Sequence, residues 1–129
     1  AVDPETVDPV ELLELRFRLA LEAEDRAAAS ARLEDLRRAL PLTRESQTQL
    51  ALREARLHLA DGRPDRAVPV LARAIDWSPS DPTVRMTRAQ VFERLGRLGE
   101  ARVDAEAVLR RDPGHAGAKK LLRRLDVSN

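Results

Sequence analysis

Two stretches decide how this chain is read: REARLHLADGRPDRAVPVLARAIDWSP at residues 53–79 and TRAQVFERLGRLGEARVDAEAVLRRDP at residues 87–113. Sliding the sequence by 34 residues superposes them. Ala55 then falls on Ala89, Leu57 on Val91, His58 on Phe92, Gly62 on Gly96, Ala67 on Ala101, Ala74 on Val108 and Pro79 on Pro113. Each stretch opens with an apolar-periodic segment that runs to a glycine, the residue that most easily takes the left-handed conformation closing a helix. A second segment then places Ala67, Leu71 and Ala74, or Ala101, Ala105 and Val108, on one helical face. A proline follows and blocks continuation. The unit is therefore a pair of antiparallel helices with small residues where the two approach. Pro69 falls inside the second helix of its unit, where it costs about 3 kcal/mol unless the helix kinks or starts late.

Outward from this core, residues 10–43 read as another helical pair. Asp8-Pro9 with Glu11 is a helix start: Asp caps and Pro sits at the first position. Leu12, Leu15, Leu19 and Ala23 follow at helical spacing and form the expected apolar stripe. The turn near Glu24–Arg26 lacks glycine. A second helix uses Ala29, Leu33, Leu36 and Leu40 and stops at Pro41. The segment fits a degenerate copy of the unit, with four extra residues before the next, and equally a plain hairpin acting as a cap. After His115, which reads as a solvated turn residue, Leu121, Leu122 and Leu125 give a last amphipathic helix. The opening Ala1–Thr6 also resembles the end of a unit (compare RRDPGH at 110–115), as expected of a piece cut from a longer array or of a native cap.

A 34-residue helix–turn–helix with this Ala/Gly/Pro pattern resembles the tetratricopeptide repeat. The resemblance implies an all-α right-handed α-solenoid of helical hairpins. Its parts would be a hairpin at 1–47, repeats at 48–81 and 82–115, and a C-terminal capping helix at 116–129. The usual bulky residue early in the first helix is replaced by Ala51 and Arg85, and His58 stands where the repeat usually has an aromatic. The resemblance further implies a concave groove lined by first helices that binds a peptide or protein, with acidic ligands favoured. Carried over by position, the partner-binding residues are Gln49, Leu52, Arg53, Arg56 and Leu59, then Thr83, Met86, Thr87, Gln90 and Glu93, with Lys120 and Arg124 from the last helix. The clamp by which some relatives hold a C-terminal carboxylate is absent: Leu52, Arg56, Thr87, Gly117 and Leu121 stand in its places.

Composition narrows the rest. The chain has 129 residues, 43% hydrophobic and 35% charged, with no cysteine. Disulfides and thiolate zinc sites are thereby excluded, and cytoplasm and periplasm are equally compatible. No apolar run is long enough to span a bilayer, and the acidic start is unlike a signal peptide. The 21 Arg against 2 Lys suggest a GC-rich bacterial source, where such repeats serve envelope-export or pilus-assembly machines as well as cytosolic ones. Charge is polarised: residues 1–47 hold 7 basic and 11 acidic side chains, and residues 82–125 hold 11 and 5. Head-to-tail stacking with further repeats or copies would use this asymmetry. The basic residues Arg110, Arg111, Lys119, Lys120, Arg123 and Arg124 make nucleic acid the competing partner, disfavoured by the lack of stacking aromatics there. Trp77, ahead of Ser78-Pro79, is expected to pack on the following helix. No metal-ligand spacing, phosphate loop or nucleophile elbow occurs, so neither a cofactor nor an enzymatic activity is expected.

Overall fold

A computed structural model describes residues 8–128. These form α1 (Pro9–Glu22), α2 (Arg26–Ala39), α3 (Arg44–Ala60), α4 (Pro64–Trp77), α5 (Pro82–Arg94), α6 (Leu98–Arg111) and α7 (Ala116–Ser128), with no strand among the described residues. The helix starts are written in the sequence. Asp8 accepts from Val10 N at 2.9 Å, Asp25 from Ala28 N at 3.0 Å, Thr43 from Ser46 N at 3.1 Å and Asp81 from Thr83 N at 2.8 Å. Each cap satisfies a backbone donor that has no partner within the helix. At α7 the cap is His115, whose Nδ1 accepts from Ala118 N at 3.1 Å. The turn residue read as solvated is thus half-buried and starts a helix.

The three hairpin turns α1/α2, α3/α4 and α5/α6 are closed by the same hydrogen bonds. In the second, Arg63 N donates to His58 O and Gly62 N to Leu59 O; in the third, Arg97 N to Phe92 O and Gly96 N to Glu93 O. Gly62 (φ 71) and Gly96 (φ 75) are left-handed. In the first, Asp25 N donates to Ala20 O and Glu24 N to Leu21 O, with Glu24 left-handed at φ 57. The missing glycine did not change the turn; a glutamate occupies the strained conformation instead. This sets a register in which positions of α1–α2 correspond to positions 38 further on, the repeat period plus four residues; those four lengthen α3 at its start, which has 17 residues against 13 in α5. Thr43 caps α3, so that helix begins ahead of residue 48.

Three buried clusters share one plan. Phe17, Ala20, Ala29, Leu33 and Leu36 of α1–α2 also take in Leu50 of α3, with Leu57 packed alongside. The α3–α4 cluster, with Ala51, Ala55, Ala67, Leu71 and Ala74, takes in Val84 and Val91 of α5. The α5–α6 cluster takes in Ala118, Leu121 and Leu125 of α7. Every hairpin core is thus completed by the first helix of the next unit, as expected where single repeats cannot bury their own apolar face. Pro69 sits inside α4, which runs on to Trp77. Trp77 is half-buried against the α3–α4 cluster.

Helix α1 departs from the sequence reading. Its buried side is Phe17 and Ala20, with Val10, Leu13 and Leu21 packed around them. The stripe Leu12, Leu15 and Leu19 points out and is 37%, 40% and 51% exposed. The helix is apolar on two faces, and period alone could not say which one meets α2. The larger ring of Phe17 occupies the place where α3 and α5 have Ala55 and Ala89, while Ala20 stands where they have His58 and Phe92. Large and small residues have exchanged places across one turn, which keeps the core volume while erasing the sequence match.

Candidate groove

The first helices α1, α3 and α5 and the cap α7 present the same helical positions in register: 11/14/15/18, 49/52/53/56, 83/86/87/90 and 117/120/121/124. Leu52 and Met86 are buried in the α3–α4 and α5–α6 clusters. Packing uses their side chains up, and neither offers a surface to a ligand. Leu59 is half-buried against the α3–α4 cluster. Exposed or half-exposed are Gln49, Arg53, Arg56, Thr83, Thr87, Gln90, Glu93, Lys120 and Arg124.

Several of these are already partnered. Arg53 pairs with Glu14 of α1 at 2.6 Å and donates to Gln49 O and Oε1 at 3.0 and 3.2 Å. Burial holds its guanidinium below the usual range, Glu14 opposes that shift, and Arg56 adds to it. The contact with Glu14 commits Arg53 to joining α3 to α1. Arg124 donates to both Glu93 oxygens at 3.2 and 3.1 Å, and this contact raises its pKa. That pair joins α7 to α5. Thr87 Oγ1 is turned onto Thr83 O at 2.7 Å.

Between α1 and α3 lies a cavity of about 160 Å³ lined by Glu11, Glu14, Leu15, Phe17, Arg18, Arg53 and Arg56. Arg18 and Arg56 are exposed and make no ion pair among the described residues. Glu11, Glu14, Leu15 and Arg18 were not assigned to the groove by sequence reasoning. The only signal for them was their match, through the 38-residue offset, to the groove positions of α3, and that offset depends on knowing where the glycine-less turn lies. The basic residues Arg110, Arg111, Lys119, Lys120 and Arg123 are exposed, while Phe17 and Phe92 are buried, so no stacking ring accompanies them.

A second charged constellation is structural. Asp104 of α6 is 1% exposed and receives Arg88 Nε at 2.8 Å and Nη2 at 2.7 Å, with Arg85 Nη1 at 3.6 Å. Arg88 and Arg97 lie over Phe92 at 5.5 and 4.8 Å from its centroid. The hydrogen bond to Asp104 raises the pKa of Arg88. No cluster of His, Cys, Asp or Glu suited to a metal ion occurs among the described residues, and no helix of the described residues is long and apolar enough to cross a membrane.

Known proteins match the same segment. The family described as tetratricopeptide repeat matches residues 52–116, half of the chain. No curated protein matches it. Among solved structures the chain is similar to one of the UNC-45 chaperone, described by features critical for binding and folding muscle myosin, at 25% identity and a TM-score of 0.69. The likeness covers 93% of this chain and 13% of the chaperone chain.

Proposed function

The chain belongs to the tetratricopeptide repeat family, and on that premise we propose that it is a protein-interaction scaffold whose groove takes an extended peptide bearing an acidic side chain. The observation that carries this reading is the α1–α3 cavity, open, edged by Leu15, and flanked by Arg18 and Arg56, which make no ion pair among the described residues. A carboxylate there gains two charge-assisted donors without first breaking an ion pair. Arg53 cannot serve in the same way, since Glu14 already holds it. Thr83, Gln90 and Lys120 continue the line across α5 and α7 as polar contacts for the peptide backbone. A protein client is also what the UNC-45 structure describes for that chaperone, which supports a protein ligand here. The test is selection from a random peptide library, followed by fluorescence anisotropy on the enriched sequences. Enriched peptides should carry Asp or Glu, and Arg56→Glu should weaken them by about tenfold, the size of one charge-assisted contact. No enrichment, or equal affinity for Arg56→Glu, would remove the groove from consideration.

A further inference from the structure

A second recess, of about 240 Å³, opens between α2 and α4 with α3 as its floor. Ala51 and Val70 lie buried at its bottom, half-buried Trp77 forms a wall, and Arg37, Glu54 and Arg73 stand around its edge. It is on the far side of α3 from the groove: Ala51 and Arg53, like Glu54 and Arg56, are about 200° apart around the helix. One repeat later the same cleft is closed. There Ile75, Arg85, Arg88 and Asp104 occupy the positions of Arg37, Ala51, Glu54 and Val70. Ile75 is buried in one cluster with Val84, and Asp104 receives Arg88 at 2.7 Å and faces Arg85 at 3.6 Å. Between α2 and α4 the isoleucine has become an exposed arginine, and Ala51 and Val70 are too short to fill the space. Val70 also leaves the place of the Asp104 carboxylate without a charge.

We propose that this recess receives an acidic side chain of a partner protein, its carboxylate reaching Arg73 and Arg37 and its stem lying on Trp77. Three observations choose that occupant. The equivalent cleft one repeat later holds a carboxylate among arginines, so the spacing of these helices accommodates such a contact. The cations at the recess are available. Arg73 is exposed and makes no ion pair among the described residues. Arg37 meets Glu34 of its own helix at 3.4 Å with both side chains exposed, a contact readily exchanged. These two cations outnumber the one carboxylate of the lining, Glu54, which faces His58 Nε2 at 3.7 Å. Charge complementarity therefore favours an anion. The indole face and the apolar bottom favour one carried on a side chain over a bare inorganic ion. The site involves none of the groove residues and stands whether or not the groove binds a peptide.

Trp77 is the chain's single tryptophan and there is no tyrosine, so intrinsic emission reports occupancy of this recess and not of the α1–α3 cavity. The probe is an end-blocked random hexapeptide library without Trp or Tyr, selected on the Arg56→Glu chain so that the groove is disabled. Enriched peptides should carry Asp or Glu and should shift Trp77 emission on titration. Replacing that acid by its amide should weaken binding about tenfold, the size of one charge-assisted contact. Arg73→Glu should weaken it at least as much with an unchanged thermal midpoint, because Arg73 is exposed. Ala51→Arg restores the arginine of the next repeat and should fill the recess and abolish the emission shift; if that variant does not fold, Arg73→Glu still reads the contact. Absence of acidic enrichment, enriched peptides that leave Trp77 emission unmoved, or equal affinity for Arg73→Glu overturns the proposal. Glutarate binding as tightly as the peptides also overturns it, since the recess would then take a free organic acid and not a protein side chain.

Discussion

Replacing Arg88 with Met should destabilise the protein far more than replacing its partner Asp104. Asp104 is 1% exposed and depends on two short bonds from Arg88, at 2.8 and 2.7 Å. Removing Arg88 leaves a buried carboxylate with only Arg85, at 3.6 Å. Breaking a buried pair from one side costs about 3–5 kcal/mol, and the remaining Arg85 places this case at about 3. For a domain of this size, that lowers the midpoint by roughly 10 °C. The reverse change is milder. The position equivalent to Asp104 in α4 is Val70, which is buried in the α3–α4 cluster. Asp104→Val therefore installs a side chain the fold already accepts one repeat earlier, and Arg88, 22% exposed, can turn to water. Its cost is about 1 kcal/mol. The double variant Arg88→Met/Asp104→Val should return to within about 1 kcal/mol of native, since apolar replacement of a buried ion pair is often neutral. Urea unfolding followed by circular dichroism at 222 nm reads all four corners of the cycle. A double variant as unstable as Arg88→Met alone would refute the argument, because the loss would then come from packing on Phe92 and not from the stranded carboxylate.

Two smaller changes probe the turns. Glu24→Gly should stabilise by up to about 1 kcal/mol, because glutamate at φ 57 holds a conformation that glycine adopts without strain; a lower thermal midpoint would contradict it. His115→Ala should cost about 1 kcal/mol by removing the cap of α7, and His115→Asp should recover most of that. Failure of Asp to rescue would show that the imidazole acts through packing.

Much of this fold was legible because its determinants are local. Gly62 and Gly96, the proline stops and the Ala67/Leu71/Ala74 spacing act within a few residues of themselves, and a 34-residue period exposes them by repetition. Residues 10–43 were harder for a physical reason. The turn at Glu24 keeps its geometry without glycine, and the Phe17–Ala20 order reverses that of Ala89–Phe92, so shape was preserved while the pattern was lost. The groove followed the same division. Sequence register places Gln49, Arg56, Thr83, Gln90 and Lys120 on the first helices and the cap. It does not reveal that Leu52 and Met86 are consumed by packing, or that Glu14 engages Arg53 from 39 residues away.

By itself the sequence determined the helices, their turns and their pairing into repeats, since backbone preference and apolar period act along the chain. Only the tertiary structure decided which face of α1 is inside, which groove cations stay unpaired, and that Asp104 sits buried beneath Arg88. Those outcomes depend on distances between helices, where side-chain volume and desolvation, not spacing along the chain, determine what is buried and what pairs.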